Sequence, residues 1–96
     1  MAWRLASLSA RITLVQELRR RGFYVRWHAY EFILYKRGPI GVLLLEPSKA
    51  RAELICQIGT PVEEVAWEVG EALRTVAPAV QLHVRVAGGG VKGGST

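Results

Sequence analysis

FYVRWHAYEFILYKR, residues 23–37, is the stretch whose reading decides the fold. Six of its fifteen positions are Phe, Tyr or Trp, a seventh is His28, and four more are Arg26, Glu31, Lys36 and Arg37. Aromatic side chains fit the half-buried surface of a pleated strand. Strand formation does not account for the charges between them, which need water or a partner. In a strand successive side chains point to opposite faces. Phe23, Val25, Trp27 and Ala29 therefore share one face, and Tyr24, Arg26, His28 and Tyr30 share the other. No Gly or Asn marks a tight turn near Ala29–Glu31, so the stretch is either one long bent strand or a hairpin. We read it as a hairpin of strands over 23–30 and 31–37.

On the N-terminal side, Leu8, Ile12, Val15 and Leu18 recur at helical spacing, with Ser7 or Ser9 as N-cap and Gly22 as the stop. This first helix ends in Arg19-Arg20-Arg21. The helix dipole accounts for one cation there. Three in a row fan around the helix, so at least one is expected to face out beside the sheet. On the C-terminal side, Gly38-Pro39 and the run 46–49 separate strands over 40–46 and 51–59. Thr60-Pro61 then reads as an N-cap with Pro at the first helical position. Val62, Val65, Ala66, Val69, Leu73 and Val76 form one apolar stripe along a second helix that Pro78 stops. A last strand over 80–86 precedes a Gly-rich end.

These elements predict an α+β domain, an antiparallel sheet of four to five strands with two helices packed on one face. The expected organisation is a single domain over 1–87 and a flexible tail over 88–96. The other face of the sheet is open. Alternation assigns it Tyr24, Arg26, His28, Tyr35, Arg37, Arg51, His83 and Arg85. IGVLLLE, residues 40–46, is apolar on both faces and is expected to be the centre of the sheet. One side of it is then covered by helices, the other by a ligand with flat apolar faces, by a second subunit, or by both.

Composition narrows the chemistry. The single cysteine, Cys56, has no disulfide partner and falls between Leu54 and Ile58 on the dry face, where it packs as a small hydrophobe. There is no Cys/His cluster for zinc and no Asp or Asn for a catalytic triad, so neither an enzyme nor a metal or other cofactor is expected. His28 and His83 could act as an acid and base pair but read better as polar sheet residues. Glu63, Glu64, Glu68 and Glu71 read as a solvated helix face. Net charge is +5, and residues 1–51 carry ten Lys or Arg against three Glu. Such asymmetry predicts a basic surface, whose commonest partner is a polyanion. No apolar run is long enough for a membrane span, and the N-terminus lacks a signal core, so a cytoplasmic protein without membrane contact is expected. Half the residues are apolar in a chain of only 96, which predicts a homo-oligomer. Leu43, Leu45 and Trp67 are the expected contacts.

LRRRGFYVR, residues 18–26, leads into YEFILYKRGPIGVLLLE, residues 30–46. In element order and composition, residues 8–86 resemble the N-terminal domain of the ThermoDBP-related family. These are single-stranded DNA-binding proteins of hyperthermophilic archaea, and ten Arg against three Lys with few Asn, Gln, Met and Cys fits a heat-adapted or a GC-rich source. The resemblance implies a basic, aromatic cleft at Tyr24, Arg26, Trp27, His28, Tyr30, Tyr35, Lys36 and Arg37. It also implies oligomerisation through the folded domain, since the family's leucine-zipper segment has no counterpart here. Residues 42–73 also look like half of a TATA-box-binding protein, but the turn, the second half-repeat and the kinking Phe pairs are missing. The expected function is sequence-tolerant binding of single-stranded DNA by base stacking and phosphate contacts, with Arg51 and Arg85 adding charge. The alternatives are an RNA-binding module and a protein-assembly module that binds no nucleic acid.

Overall fold

The computed structural model describes residues 4–87, and the expected tail over 88–96 lies outside them. The order is α1 (Leu8–Arg20), β1 (Tyr24–His28), β2 (Glu31–Tyr35), β3 (Pro39–Glu46), β4 (Arg51–Gln57), α2 (Val62–Val76) and β5 (Gln81–Ala87), with 3-10 turns at Arg4–Ala6 and Pro47–Lys49. The five strands lie side by side in chain order. The α+β expectation holds, with one difference of direction. β1 to β4 form an antiparallel meander, whereas β5 joins β4 in parallel, because α2 carries the chain back along the sheet before β5 begins.

Helix α1 begins and ends as its sequence dictates. The Ser7 hydroxyl accepts from the Ala10 amide at 3.1 Å. At the other end Gly22 takes φ 98°, its amide donating to the Arg19 carbonyl and the Phe23 amide to that of Leu18. This pair of bonds is a Schellman stop, and the buried Leu18 and Phe23 supply the apolar residues that accompany it. Helix α2 differs from expectation at its start. Pro61 is the residue before the first turn, and the Thr60 hydroxyl, instead of capping, donates to the Ile40 carbonyl at 3.3 Å and ties the helix entry to β3.

Both helices lie on one face of the sheet. Leu14, Val15 and Leu18 of α1 and Val65, Val69, Leu73 and Val76 of α2 form one core with Val25, Phe32, Leu34, Leu43, Leu45, Ala52, Leu54 and Cys56 of the strands. Each fully buried Leu or Phe contributes about 1.5–3 kcal/mol by leaving water. Leu43 and Leu45 are 0% and 5% exposed inside the monomer, so they are not the oligomer contacts that the sequence assigned them. The half-exposed apolar residues of β3 are Val42 and Leu44, one position away from each. Period two cannot tell the two sides of a doubly apolar strand apart, and the helices decide.

Gly41 marks the closest approach in the sheet. A Cβ built on it would lie 2.2 Å from the Ile55 carbonyl oxygen, a backbone atom of β4 that cannot swing aside. Gly41→Ala is expected to destabilise the domain by about 1–3 kcal/mol, read as a lowered urea midpoint with the slope unchanged.

Candidate nucleic-acid interface

The register places the open face in rungs that cross the sheet. One rung carries Arg26, Ile33, Val42, Ile55 and Arg85, and the next carries His28, Glu31, Leu44, Glu53 and His83. At one end of the face lies the cross-strand pair Tyr24–Tyr35, and at the other Glu46, Arg51 and Gln81. The middle is therefore apolar and the flanks charged. Four strand spacings separate the outer members of a rung, about 19 Å. That distance keeps His28 and His83 from acting together on one proton.

Glutamates temper the expected basic surface. Arg85 pairs with Glu53 at 2.6 Å and Arg51 with Glu46 at 2.9 Å. Both were expected to hold phosphates, but each has a carboxylate competing for its guanidinium. Arg26 has no hydrogen-bond or ion-pair partner among the described residues and stands exposed on β1. Beside it lies a cation that the site reading passed over. Arg19, the first of the arginine run at the end of α1, is exposed and donates to the Val25 carbonyl at 3.2 Å, which holds it at the β1 edge one residue along the strand from Arg26. The run itself was the signal. The other two are occupied, Arg20 by Glu17 and Arg21 by Glu68 at 2.8 Å. Arg20 holds the Glu17 carboxyl below the usual carboxylate range, with Arg21 adding to the effect.

Tyr24 and Tyr35 form the aromatic part of the site. Their ring centroids are 5.5 Å apart with planes tilted by 56°, and Tyr24 is among the most exposed large side chains of the molecule. The two rings stand at one end of the apolar strip, with Arg26 and Arg19 on the β1 side.

Trp27, Tyr30 and Lys36, assigned to the cleft by family resemblance, are not on this face. Trp27 has the opposite parity to Arg26 and stacks on the buried Phe32, centroids 5.5 Å apart and planes 4° from parallel. Tyr30 belongs to the β1–β2 turn, where the Arg11 guanidinium lies 4.3 Å from its ring centre. The Lys36 ammonium sits over Phe23 at 4.6 Å and donates to the Arg21 carbonyl. A carry-over along consecutive residues takes both faces of a strand, whereas a sheet offers a ligand only one. Arg37 adopts φ 63° in the β2–β3 turn and lines a separate groove of about 840 Å³ beside Trp67, Glu64 and Glu68.

Cys56 is fully buried, and its burial pushes the thiol pKa up, away from the reactive thiolate. Among the described residues no cluster of His, Cys, Asp or Glu could hold a metal ion, and no helix is long and apolar enough to cross a membrane. Compared with known protein families, with curated proteins and with solved structures, the chain matches none.

Proposed function

We propose that this protein binds single-stranded DNA without strong sequence preference, as a homo-oligomer and without catalysing a reaction, in the manner of the ThermoDBP-related proteins it resembles. The observation that carries the reading is the Tyr24–Tyr35 pair, one ring exposed and the other half-buried, at the end of an uncharged strip, with Arg26 on the same face and Arg19 at the β1 edge. Bases stack on such rings for roughly 1–3 kcal/mol each whatever their identity. Cations along the β1 edge suit the backbone that joins two stacked bases. The strip of Ile33, Val42 and Ile55 gives a flat apolar floor along which further bases can lie.

Anisotropy of a labelled oligo-dT, set against a duplex and an RNA strand at two salt concentrations, tests the reading. Single strands are expected to bind tighter than duplex, with log K against log[salt] sloping by about −0.7 per phosphate neutralised. Arg26→Ala is expected to weaken binding and make the slope shallower without changing the unfolding midpoint. A salt-independent signal, or equal affinity for duplex, would remove the proposal. Tighter binding of RNA would reassign the substrate. No binding at all would favour the assembly-module reading, for which the apolar strip between charged flanks is the supporting feature.

A further inference from the structure

The two edges of the sheet are finished differently. At the β1 edge the Val25 carbonyl accepts from Arg19, and the Ala29 carbonyl just beyond it accepts from Arg11 at 2.7 Å. Helix α1 thus spends two arginines on that side. Its strand is also short and polar, as edges that resist pairing commonly are. The β5 edge has none of this. Its strand is seven residues long, and among the described residues no side chain donates to its backbone or accepts from it. On the helix side of β5, Val84 and Val86 remain 40% and 37% exposed, whereas Leu82 packs against the core.

Beside that bare strip α2 carries a projection and a hollow on one stripe. Trp67 is 60% exposed. One turn further on, Gly70 leaves a groove of about 550 Å³ floored by Leu73, Val80 and Leu82. A Cβ at Gly70 would meet nothing nearer than a Leu82 methyl at 3.8 Å, so the helix surface is low at this point and open to a neighbouring side chain.

We infer that a second copy of the chain docks here by two-fold symmetry, its α2 against α2 and its β5 against β5. This rests on the oligomeric half of the proposed function and not on its nucleic-acid half. In an antiparallel helix pair, the axis that seats Trp67 of one copy over Gly70 of the other also brings Glu63 opposite Arg74, once on each side. The fit is self-complementary in shape and charge, as a two-fold interface must be. Glu63 has no ion-pair partner among the described residues, and Arg74, paired with Glu71, is exposed. The strands agree with the same axis. Gly70 packs on Leu82, so the axis crosses β5 near His83. Antiparallel pairing centred there sets Arg85 opposite Gln81 and away from the other Arg85. Val84 and Val86 are then covered, the open edges close on each other, and the two open faces join into one continuous platform.

Light scattering of the full chain at micromolar concentration, without nucleic acid, tests the inference. The expected mass is twice that of the chain. Trp67→Ala and Glu63→Arg are each expected to raise the dimer dissociation constant at least tenfold, with circular dichroism unchanged because both side chains are exposed. Glu63→Arg combined with Arg74→Glu is expected to restore the dimer, which a misfolded variant would not do. A monomeric wild-type protein overturns both the oligomeric reading and this interface. A dimer indifferent to Trp67→Ala, or a swapped pair no better than Glu63→Arg alone, overturns this interface only and places the contact elsewhere.

Discussion

Phe32→Ala is expected to lower stability by about 3–5 kcal/mol, the largest loss from any single side chain here. Phe32 lies on β2 between Trp27 and Leu43 in the register and is fully buried. Its ring stacks nearly parallel on that of Trp27, so truncation removes both the apolar area and the aromatic contact. No neighbour can collapse into the space, because strand spacing fixes the backbone on both sides. A domain of this size is stable by roughly 5–15 kcal/mol in total, so the variant is expected to lose a large fraction of its stability. Urea denaturation followed by tryptophan fluorescence measures the loss. Ile33→Ala is the matched control, since Ile33 is the next residue of the same strand but points to the open, half-exposed face. A smaller loss at Phe32 than at Ile33 would mean that the faces of the sheet are exchanged.

Replacing Tyr24 and Tyr35 by Leu is expected to cost single-strand affinity about 1–3 kcal/mol for each ring, roughly 5- to 150-fold, and duplex affinity little. Leucine keeps apolar bulk and charge but removes the flat π-face. The two residues pair across β1 and β2, so some stability is lost as well, about 0.2–1 kcal/mol for a cross-strand pair. That is too little to unfold the domain. Titration of both substrates by each variant separates stacking from electrostatics. Arg26→Ala weakens both through the phosphates, whereas the tyrosine variants act on exposed bases alone. Equal losses on the two substrates, or none, would mean that these rings serve only to build the sheet.

The open face has a cost that its charge pattern manages. Between Arg26 and Arg85 three apolar side chains stand in a row, a surface that invites aggregation if left wide. On the adjacent rung Glu31 and Glu53 flank Leu44, and Glu53 holds Arg85 in place at one margin. The strip therefore stays narrow. Glutamates so close to a proposed DNA surface also bias it toward the β1 side, where Arg19 and Arg26 have no carboxylate partner among the described residues.

Local signals in the chain were sufficient for much of this architecture. Gly22 ends α1, Pro78 follows α2, and the parity of 23–37 separates Tyr24, Arg26 and Tyr35 from Val25, Trp27 and Phe32. Each depends on neighbours within a turn or a pleat, which is why sequence alone determined them. Other features depend on residues far apart in the chain, and only the tertiary structure decided them. The β1–β2 turn has no glycine, yet Ala29 takes φ 54° there, with Arg11 of α1 donating to its carbonyl and lying over the Tyr30 ring. Leu43 and Leu45 face the helices while Val42 and Leu44 do not, a choice that a strand apolar on both sides leaves to its packing partners. Arg51 and Arg85 look like unclaimed positive charge until the register sets Glu46 and Glu53 beside them. Arg19 looks like a helix-end charge until α1 lies along β1. Side-chain parity is a local property of the backbone, but charge pairing and burial are properties of what the fold brings alongside.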